Sequence, residues 1–308
     1  MLNNLIQNIY ILTGPTAIGK SDLAIRFAKK VNGVIVNADS MQVYSDLKIL
    51  SARPDENDIQ EVNHELYGYV EGHKRYNVAR WCNDVTKIIK SNESKNYPSI
   101  LVGGTGMYIE SLLNGLIELP DISESFKKKS EKKLNELGLK KLINEISKFD
   151  PKALIDISNN DSSRIRRVWE VYKSTGKTYS YWKGKKNKKF LNNFLYKIIL
   201  FTPPREKVYL NIDQRFNKMI KDGAIKEVNK LKKLNLDRSL PIMRAHGVPE
   251  ISDYLEKKIS LKECIRKGQQ VTRNYAKRQL SWWRSTSLPI HQVFDQFPNQ
   301  INENLIKI

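Results

Sequence analysis

The sequence is poor in the residues that build disulfide frameworks and metal centres. Its 308 residues include two cysteines, Cys82 and Cys264, and four histidines without close metal-ligand spacing. Such low cysteine content excludes a disulfide scaffold and is typical of a reducing compartment. No apolar run approaches the ~18 residues of a membrane span, and the first predicted strand begins too early for a signal or transit peptide. We therefore expect a cytoplasmic, monomeric protein without a membrane segment.

Acidic residues are scarce relative to basic ones, and the imbalance is local. The 33 Asp and Glu residues face 53 Lys and Arg residues, which gives a net charge of +20. Residues 1–120 carry a net charge of −1, whereas 121–200 carry +11 and 201–308 carry +10. This asymmetry favours a polyanionic partner much larger than a nucleotide. Lysine-rich helices that only face solvent would give the same counts.

The most informative motif is framed by two glycines near the N-terminus. Residues 14–21 fit the phosphate-loop pattern G-x-x-x-x-G-K-[S/T], after a predicted strand over 9–12 and before a predicted helix over 21–28. A turn between a strand and a helix N-terminus forms a nest of backbone N–H groups that binds phosphate. The flanking elements argue against a chance match. The residues predicted to bind a diphosphate or nucleotide here are Gly14, Pro15, Thr16, Ala17, Ile18, Gly19, Lys20 and Ser21, with the Ser21 hydroxyl as a Mg²⁺ ligand.

Two further predicted strands end in chemically useful turns. The strand over 34–36 is followed by Asp39, and the strand over 99–102 by the glycine turn 103–106. Open α/β sheets bind ligands at the carboxyl ends of their strands. Asp39 there is either a general base or Mg²⁺ ligand, or the cap of a following helix. The glycine turn either brings backbone and the Thr105 hydroxyl to a ligand, or is a plain turn into a helix over 107–115.

The remaining sequence has enough apolar residues, 40% of the whole, for a large α/β domain and a smaller one. Residues 51–75 are polar and predict an irregular segment, and the stretch 78–89 predicts an amphipathic helix. Residues 121–195 predict a basic helical insertion that faces the polyanion. In its helix over 162–173, three arginines lie on little more than one turn, and such clusters bind phosphates bidentately.

The C-terminal part is predicted to return to the sheet with a strand over 196–201. A long helix over 206–233 follows, then a loop over 243–249 and a helix over 262–284. On that last helix a cationic stripe consists of Arg266, Arg273, Lys277 and Arg284. The apolar stripe, ~200° away, consists of Cys264, Gly268, Val271, Tyr275 and Trp282. The cations suit a nucleic-acid backbone, although a solvated outer face has the same pattern.

Taken together, these motifs resemble the tRNA dimethylallyltransferases over about residues 8–284. The phosphate loop contributes, as do the stretches 39–44 and 103–108 that follow the next two strands. Later matches are Asn160-Asp161-x-x-Arg164-x-x-Arg167, Glu170-Val171-Tyr172-x-x-Thr175-Gly176-Lys177, Pro203-Pro204-Arg205, Ile212-Asp213-x-Arg215 and Arg273-x-Tyr275-Ala276-Lys277-Arg278-Gln279-Leu280-x-Trp282. At 246–249, His-Gly-Val-Pro replaces the commoner Ile-Gly-Tyr-Lys/Arg of the family.

The resemblance implies an α/β fold with a P-loop NTPase-like parallel sheet core and a mainly helical, basic insertion domain. Residues 1–120 and 196–308 would form the catalytic core with C-terminal tRNA-binding helices, and 121–195 the insertion that contacts the tRNA anticodon arm. The implied reaction moves a dimethylallyl group from dimethylallyl diphosphate to the N6 amine of the adenosine 3′ of the anticodon, in tRNAs reading codons that start with U. The phosphate loop and Arg215 would bind the leaving diphosphate, with Mg²⁺ as the cofactor.

In this reaction Asp39 is the expected general base, because a neutral adenine amine is a weak nucleophile, and Thr105 would position the amine. The adenine must leave its stack to reach them. The residues expected to contact tRNA are Asp39, Ser40, Met41, Gln42, Thr105, Lys127, Ser163, Arg164, Ile165, Arg166, Arg167, Arg244, His246, Gly247, Arg273, Lys277 and Arg278.

Two competing functions share the phosphate loop. A small-molecule or nucleoside-monophosphate kinase would have the same sheet but no use for the positive charge beyond residue 120. A nucleic-acid-binding NTPase switch is weakened because no hydrophobic run ends in an acidic Walker-B residue.

Overall fold

The computed structural model describes residues 8–192 and 194–307. These residues form one six-stranded sheet, twelve α-helices and short 3₁₀ turns. The strands are β1 (Asn8–Thr13), β2 (Val34–Asn37), β3 (His64–Glu65), β4 (Ser99–Gly103), β5 (Leu195–Phe201) and β6 (Gln292–Phe294). The prediction that no signal or transit peptide precedes β1 concerns residues 1–7, which lie outside the described part. The expected monomer stays a prediction.

The helices alternate with the strands in the first part of the chain and dominate the rest. They are α1 (Lys20–Val31), α2 (Glu56–Glu61), α3 (Val78–Ser94), α4 (Gly106–Asn114), α5 (Glu124–Leu137), α6 (Leu139–Ser147), α7 (Ser162–Thr175), α8 (Tyr179–Lys183), α9 (Arg205–Lys221), α10 (Ala224–Lys233), α11 (Val248–Leu255) and α12 (Leu261–Ser285).

All six strands are parallel, in the order β3-β2-β4-β1-β5-β6. The register pairs Thr13 of β1 with Gly103 of β4, and Val102 of β4 with Asn37 of β2. The carboxyl ends of these three neighbouring strands therefore lie side by side. The predicted α/β fold with a phosphate-loop-like parallel core is confirmed.

The central strands are buried on both faces, as their unbroken apolar runs predict. Ile11 and Leu12 of β1 have no exposed surface, and α1 packs Leu23 and Phe27 into the same core. This packing fixes the start of α1 directly after β1, so the loop between them has little freedom.

The chain divides into two compact units. Unit 1 comprises Met1–Leu113 and Phe190–Ile308, and unit 2 comprises Asn114–Lys189. The predicted boundaries at 121 and 195 lie a few residues further along the chain. The functions assigned to the units stay predictions.

Unit 2 has its own small hydrophobic core and a buried carboxylate. Leu142, Ile146 and Val168 are fully or almost fully buried between helices. Glu170 of α7 is 4% exposed, accepts a hydrogen bond from the Ser130 hydroxyl of α5 at 2.5 Å, and lies near two arginines of its own helix. The Arg166 Nε is 3.3 Å from a Glu170 oxygen, and the Arg167 Nη1 is 3.9 Å from one.

Three local predictions were wrong, those for residues 51–75, for Pro249 and for the helix 206–233. Residues 51–75 contain α2 and β3, and α2 begins with a reciprocal pair of hydrogen bonds between Asp55 and Asp58. Pro249 was interpreted as part of a loop, but it lies in the first turn of α11, where proline costs no hydrogen bond. The predicted helix 206–233 is two helices, separated at Gly223, whose φ of 109° interrupts the helix.

The stripes of α12 also differ from the prediction. The buried face is formed by Cys264, Gly268, Thr272, Ala276, Gln279, Leu280 and Trp283. The predicted apolar stripe was wrong because it included aromatic residues at its centre. Tyr275 and Trp282 lie at the edge of the buried face, and small residues occupy its centre. At Gly268 an added Cβ would lie 2.0 Å from the Phe216 ring of α9, so only a residue without a side chain lets the two helices approach this closely.

We expect Glu170→Ala to destabilise unit 2, because it leaves the partly buried Arg166 guanidinium without its main partner. Removing one member of a buried ion pair costs about 3 kcal/mol. The measurement is the opening free energy of α7 amides by hydrogen exchange. Glu136→Ala, at an exposed pair with Lys132, is the matched control and should change it by less than about 0.5 kcal/mol. Equal effects of the two variants would contradict a structural role for the buried carboxylate.

Candidate active site

The phosphate loop joins the end of β1 to the start of α1, as its sequence predicts. The Lys20 ammonium folds back over the loop and donates to the carbonyl oxygens of Gly14 at 3.1 Å and Pro15 at 2.7 Å. Arg215, from α9, donates to the Thr16 hydroxyl at 2.7 Å. Two cations therefore meet at the N-terminus of α1, where the helix dipole also favours an anion.

Both cations are held away from water. Burial lowers the pKa of Lys20 from 10.5 to about 7, the Asp39 carboxylate opposes this shift, and Arg215 adds to it. Lys20 keeps some exposed surface, but its ammonium lies deep in the crevice, so desolvation dominates. Burial also lowers the pKa of Arg215 to about 10, again against the influence of Asp39. An anionic ligand beside Lys20 and Arg215 would favour the charged form of both side chains and offset the cost of their burial.

Asp39 lies just beyond β2 and is held by its neighbours. Its Oδ1 accepts hydrogen bonds from the backbone N–H groups of Met41 at 2.8 Å and Gln42 at 3.4 Å. No helix forms in residues 38–55, so the helix-cap alternative is wrong and the carboxylate instead stabilises a turn. Its other oxygen accepts no hydrogen bond from any described residue, which leaves it free to act on a ligand.

Thr105 lies in the turn between β4 and α4. Its hydroxyl is buried, lies beside Tyr275, and makes no hydrogen bond of good geometry to the described residues. Because buried hydroxyls are normally paired, this group is suited to a ligand that supplies the missing partner.

Two adjoining cavities open at this edge of the sheet. The smaller, of about 250 Å³, is lined by the phosphate loop with Lys20 and Ser21. The larger, of about 280 Å³, is lined partly by rings, among them Phe216, His246 and Tyr275. The residues that line both cavities are Thr16, Asp39, Ser51 and Arg215. A carboxylate and a cation therefore stand where the two cavities meet.

His246 lies in the larger cavity, with its ring centroid 4.8 Å from that of Tyr275. Burial lowers the pKa of His246, Arg278 lowers it further, and Asp39 opposes them. The ring is therefore neutral at pH 7 and presents a hydrogen-bonding edge instead of a charge.

The residues of unit 1 predicted to contact tRNA gather mostly at this cavity. Those that line it are Asp39, Ser40, Met41, Arg244, His246 and Arg278. Gln42 instead donates to the carbonyl oxygens of Ser51 and Ala52. Gly247 is buried and Lys277 is exposed, whereas Arg273 is engaged in an ion pair with Asp213 of α9.

The predicted tRNA contacts of unit 2 lie on α5 and α7. Ser163 and Arg164 are exposed, and Lys127 is partly buried. Ile165 needs correction, because it is 0% exposed in the core of unit 2 and its side chain cannot reach RNA. The arginine cluster is less free than its sequence indicates, since Arg166 and Arg167 approach the buried Glu170 described above.

Sequence reasoning missed two residues that organise the site. The Asn37 amide donates to the Asp39 carbonyl at 3.0 Å and accepts from the Asp39 N–H at 2.8 Å. The Gln279 amide of α12 accepts from the Thr16 N–H and donates to the Gly104 carbonyl, both at 2.9 Å. In each case the sequence signal is a polar residue where the pattern predicts an apolar one. Asn37 lies at the end of a buried strand, and Gln279 lies on the core face of a helix.

The described residues contain no cluster of three or more His, Cys, Asp or Glu side chains that could hold a metal ion. The oxygen donors that line the cavity beside the phosphate loop include the Ser21 hydroxyl and the carboxylates of Asp22 and Asp39. Within the described ranges, no helix is both long and apolar enough to cross a membrane.

The fold and the site define a phosphate-loop α/β protein whose anion-binding loop opens onto a second ligand cavity. A family model described as IPP transferase matches residues 42–286, and one described as isopentenyl transferase matches residues 7–70. The chain belongs to the IPP transferase family, whose members are transferases that use a prenyl diphosphate.

Similar proteins agree with this assignment. A tRNA dimethylallyltransferase from Ehrlichia canis is 39% identical over 96% of this chain and 94% of its own, and one from Bartonella quintana is 41% identical over 91% and 94%. Among solved structures, a tRNA isopentenylpyrophosphate transferase from Staphylococcus epidermidis has a TM-score of 0.67 at 29% identity, covering 97% of this chain and 96% of its own. A eukaryotic dimethylallyltransferase acting on tRNA has a TM-score of 0.75 at 26% identity, covering 90% and 69%. The kinase alternative is not favoured.

We expect Lys20→Met to raise the melting temperature of the ligand-free protein at pH 7. The pKa of Lys20 is about 7 in the folded state and 10.5 in its ordinary state, so between these values the unfolded chain binds more protons. Lys20 therefore costs stability, most fully below about pH 7, and this cost fades as the pH rises toward 10. The measurement is the melting temperature from pH 6 to 9.5. The control is Lys29→Met, at an exposed pair with Glu61. A gain that does not shrink with rising pH would contradict the buried, desolvated ammonium.

Proposed function

We propose that the protein transfers a dimethylallyl group from dimethylallyl diphosphate to the N6 amine of the adenosine 3′ of the anticodon, in tRNAs reading codons that start with U. The observation that carries this proposal is the position of Asp39, at the wall shared by an anion-binding crevice and a second cavity. Transfer between an anionic donor and a neutral acceptor needs these two compartments side by side. The relatives named tRNA dimethylallyltransferase support the choice of donor and acceptor. We further propose that the protein acts in the cytoplasm, where its tRNA substrate is found.

In the proposed step, the adenine N6 attacks the allylic C1 of the donor while the bond from C1 to the diphosphate oxygen breaks. The electron pair of that bond leaves with the diphosphate, and one N6 proton is transferred to a base. Asp39 is the base, because its Oδ2 accepts no hydrogen bond from the described residues while Oδ1 is fixed by the backbone of Met41 and Gln42. A fixed carboxylate with one free oxygen is suited to accept a proton.

The leaving diphosphate gains negative charge as the C1–O bond breaks, and the crevice is built to receive it. Burial lowers the pKa of Lys20 to about 7 and that of Arg215 to about 10, so a bound diphosphate would favour the charged form of both. Charge stabilisation is stronger in such a water-poor site. A diphosphate would also draw the Lys20 ammonium away from the loop carbonyls of Gly14 and Pro15, to which it is bonded at present.

Mg²⁺ is the proposed cofactor, and the donor set fits it. The Ser21 hydroxyl is a hard oxygen ligand that lines the phosphate-loop cavity, and Mg²⁺ in such sites takes one or two protein ligands plus substrate phosphates. When bound, the ion would neutralise charge on the diphosphate oxygens.

The larger cavity is the proposed place for the reacting adenine and the dimethylallyl chain. It offers the rings of Phe216 and Tyr275 for apolar contact and the neutral His246 as a polar edge. Enzymes that modify a base draw it from its stack into such a pocket. The unpaired Thr105 hydroxyl is the proposed positioning group for the amine or its neighbours.

Unit 2 is the proposed binding surface for the anticodon arm. It contains 19 Lys and Arg residues against 10 Asp and Glu residues, which suits a phosphate backbone. The exposed Arg164 is the strongest candidate contact on α7. Arg166 is chiefly structural, because it lies 3.3 Å from Glu170 and 3.6 Å from Glu131.

One assay tests the function as a whole. The protein is incubated with radiolabelled dimethylallyl diphosphate, ATP and unmodified tRNA. Label in the tRNA supports the transferase. A phosphorylated acceptor with ADP would instead indicate the kinase, and tRNA-stimulated ATP hydrolysis an NTPase switch.

We expect Asp39→Asn to lower kcat by about 10²–10⁴-fold, the usual contribution of a general base. The asparagine keeps an Oδ1 that can accept from the backbone of Met41 and Gln42, so the turn and tRNA binding should survive. Single-turnover transfer to tRNA measures the effect. Asp58→Asn, at the start of α2, is the control for a capping carboxylate. Turnover within a few-fold of the unsubstituted protein would exclude Asp39 as the base.

We expect tRNA affinity to fall log-linearly with salt, because phosphate contacts release counterions. Arg164→Gln and Arg167→Gln should each flatten the slope by about one if each makes one contact. Filter binding of the anticodon stem-loop over a range of KCl concentrations gives the slope. Lys29→Gln, in the exposed pair with Glu61, should leave it unchanged. An affinity that salt does not alter would overturn the backbone-binding assignment of unit 2.

A further inference from the structure

Gln279 of α12 lines the phosphate-loop cavity, and its side chain contacts two loops there in a way that core packing does not explain. Its side chain is 5% exposed, and it is a polar residue among the apolar and small residues of the buried face. Its amide makes two hydrogen bonds to backbone groups of two different loops. The carbonyl oxygen accepts from the Thr16 N–H of the phosphate loop at 2.9 Å, and the NH₂ group donates to the Gly104 carbonyl at 2.9 Å.

The two loops approach each other closely at this point. A Cβ added at Gly104 would lie 2.1 Å from the Gln279 Nε2 and 2.9 Å from the Gly14 carbonyl oxygen. Backbone from the phosphate loop, backbone from the second glycine turn and the Gln279 amide therefore meet without space for another side chain. The planar amide, with an acceptor on one arm and a donor on the other, sets the spacing of the two loops.

These loops bear different halves of the proposed reaction. The phosphate loop contributes Thr16 and Lys20, which face the diphosphate, and Gly104 directly precedes Thr105, whose unpaired hydroxyl faces the amine in the proposed mechanism. We propose that Gln279 is a positioning residue that holds the leaving group and the acceptor in line across the two cavities. This inference rests on the proposed function.

The chemistry of the side chain explains why glutamine is suited to the task. Methionine has a similar length and shape but would leave the Thr16 N–H without a partner, and the Gly104 carbonyl would keep only its hydrogen bond from the Gly106 N–H. Glutamate would still accept from Thr16, but its second oxygen would face the Gly104 carbonyl and repel it. The two substitutions therefore remove the connection in two distinguishable ways.

The test compares Gln279→Met and Gln279→Glu with Gln270→Met as the matched control. Gln270 lies on the same helix, is exposed, and makes hydrogen bonds only within that helix, donating to Asn274 and accepting from Arg273. For each variant the measurements are hydrogen exchange at the Thr16 amide, the Kd of inorganic diphosphate, the Kd of the anticodon stem-loop, and kcat and KM for dimethylallyl transfer.

For Gln279→Met we expect loss of exchange protection at Thr16 and a diphosphate Kd raised about tenfold. We expect kcat to fall about 10- to 100-fold, since small misplacements of reacting groups have effects of this size. Stem-loop affinity should not change. Gln279→Glu should keep Thr16 protected and still lose kcat, because its connection to the Thr105 turn is broken. Gln270→Met should match the unsubstituted protein.

Unchanged protection at Thr16 in Gln279→Met, or a kcat within threefold of the unsubstituted protein in both Gln279 variants, would overturn the inference. If Gln279→Met does not fold, Gln279→Glu decides by the same kcat criterion. If the unsubstituted protein transfers no label to tRNA, the proposed function fails. The Thr16 exchange and diphosphate measurements then still decide whether Gln279 holds the loop.

Discussion

The site depends on the free energy that it costs to bury two basic side chains, Lys20 and Arg215, beside the carboxylate of Asp39. Lys20 and Arg215 both have pKa values lowered by burial, and Asp39 is the one carboxylate that opposes the shift in each. Uncompensated charge in a low-dielectric crevice destabilises the folded protein. A bound polyanion would offset that cost, so binding the anion would also stabilise the folded protein.

The rest of unit 1 keeps these groups in place with backbone contacts. Asn37 fixes the backbone of Asp39 through two hydrogen bonds, and Arg215 reaches the loop because α9 and α12 pack closely at Gly268. The charged side chains themselves provide little of the scaffold. Their positions follow from amides, small residues and the shared edge of three parallel strands.

Much of this arrangement could be predicted from the sequence because its signals are local. The phosphate loop, the three strands before the turns and the helix α12 all follow from short patterns, and Asp39 and Thr105 were located by the strands that precede them. The position of the insertion was also approximately predicted, since a change in composition marks it.

The failures have a common physical cause. The two-residue strand β3 exists only through pairing with β2, and the buried position of Ile165 depends on helices distant in sequence. Gln279 lies within a sequence motif that does not indicate its role, because its two hydrogen-bond partners lie 263 and 175 residues away along the chain. Likewise the sequence of α7 predicts arginines that are free to bind phosphate, but Glu170 on the same helix is buried beside two of them. Whether a charged side chain is available to bind a ligand depends on the partners that the fold places beside it.

The backbone contact between the two ends of unit 2 has a consequence for how this protein can evolve. Leu116 and Lys188 exchange two backbone hydrogen bonds, of 3.1 and 2.8 Å, so the segment between them starts and finishes at one point. With respect to the sheet, this segment is a single connection between α4 and β5, whatever its length. Insertions, deletions or new charges inside that loop leave the register of β5 on β1 untouched. The basic surface and the reaction centre are therefore free to evolve at different rates within one polypeptide.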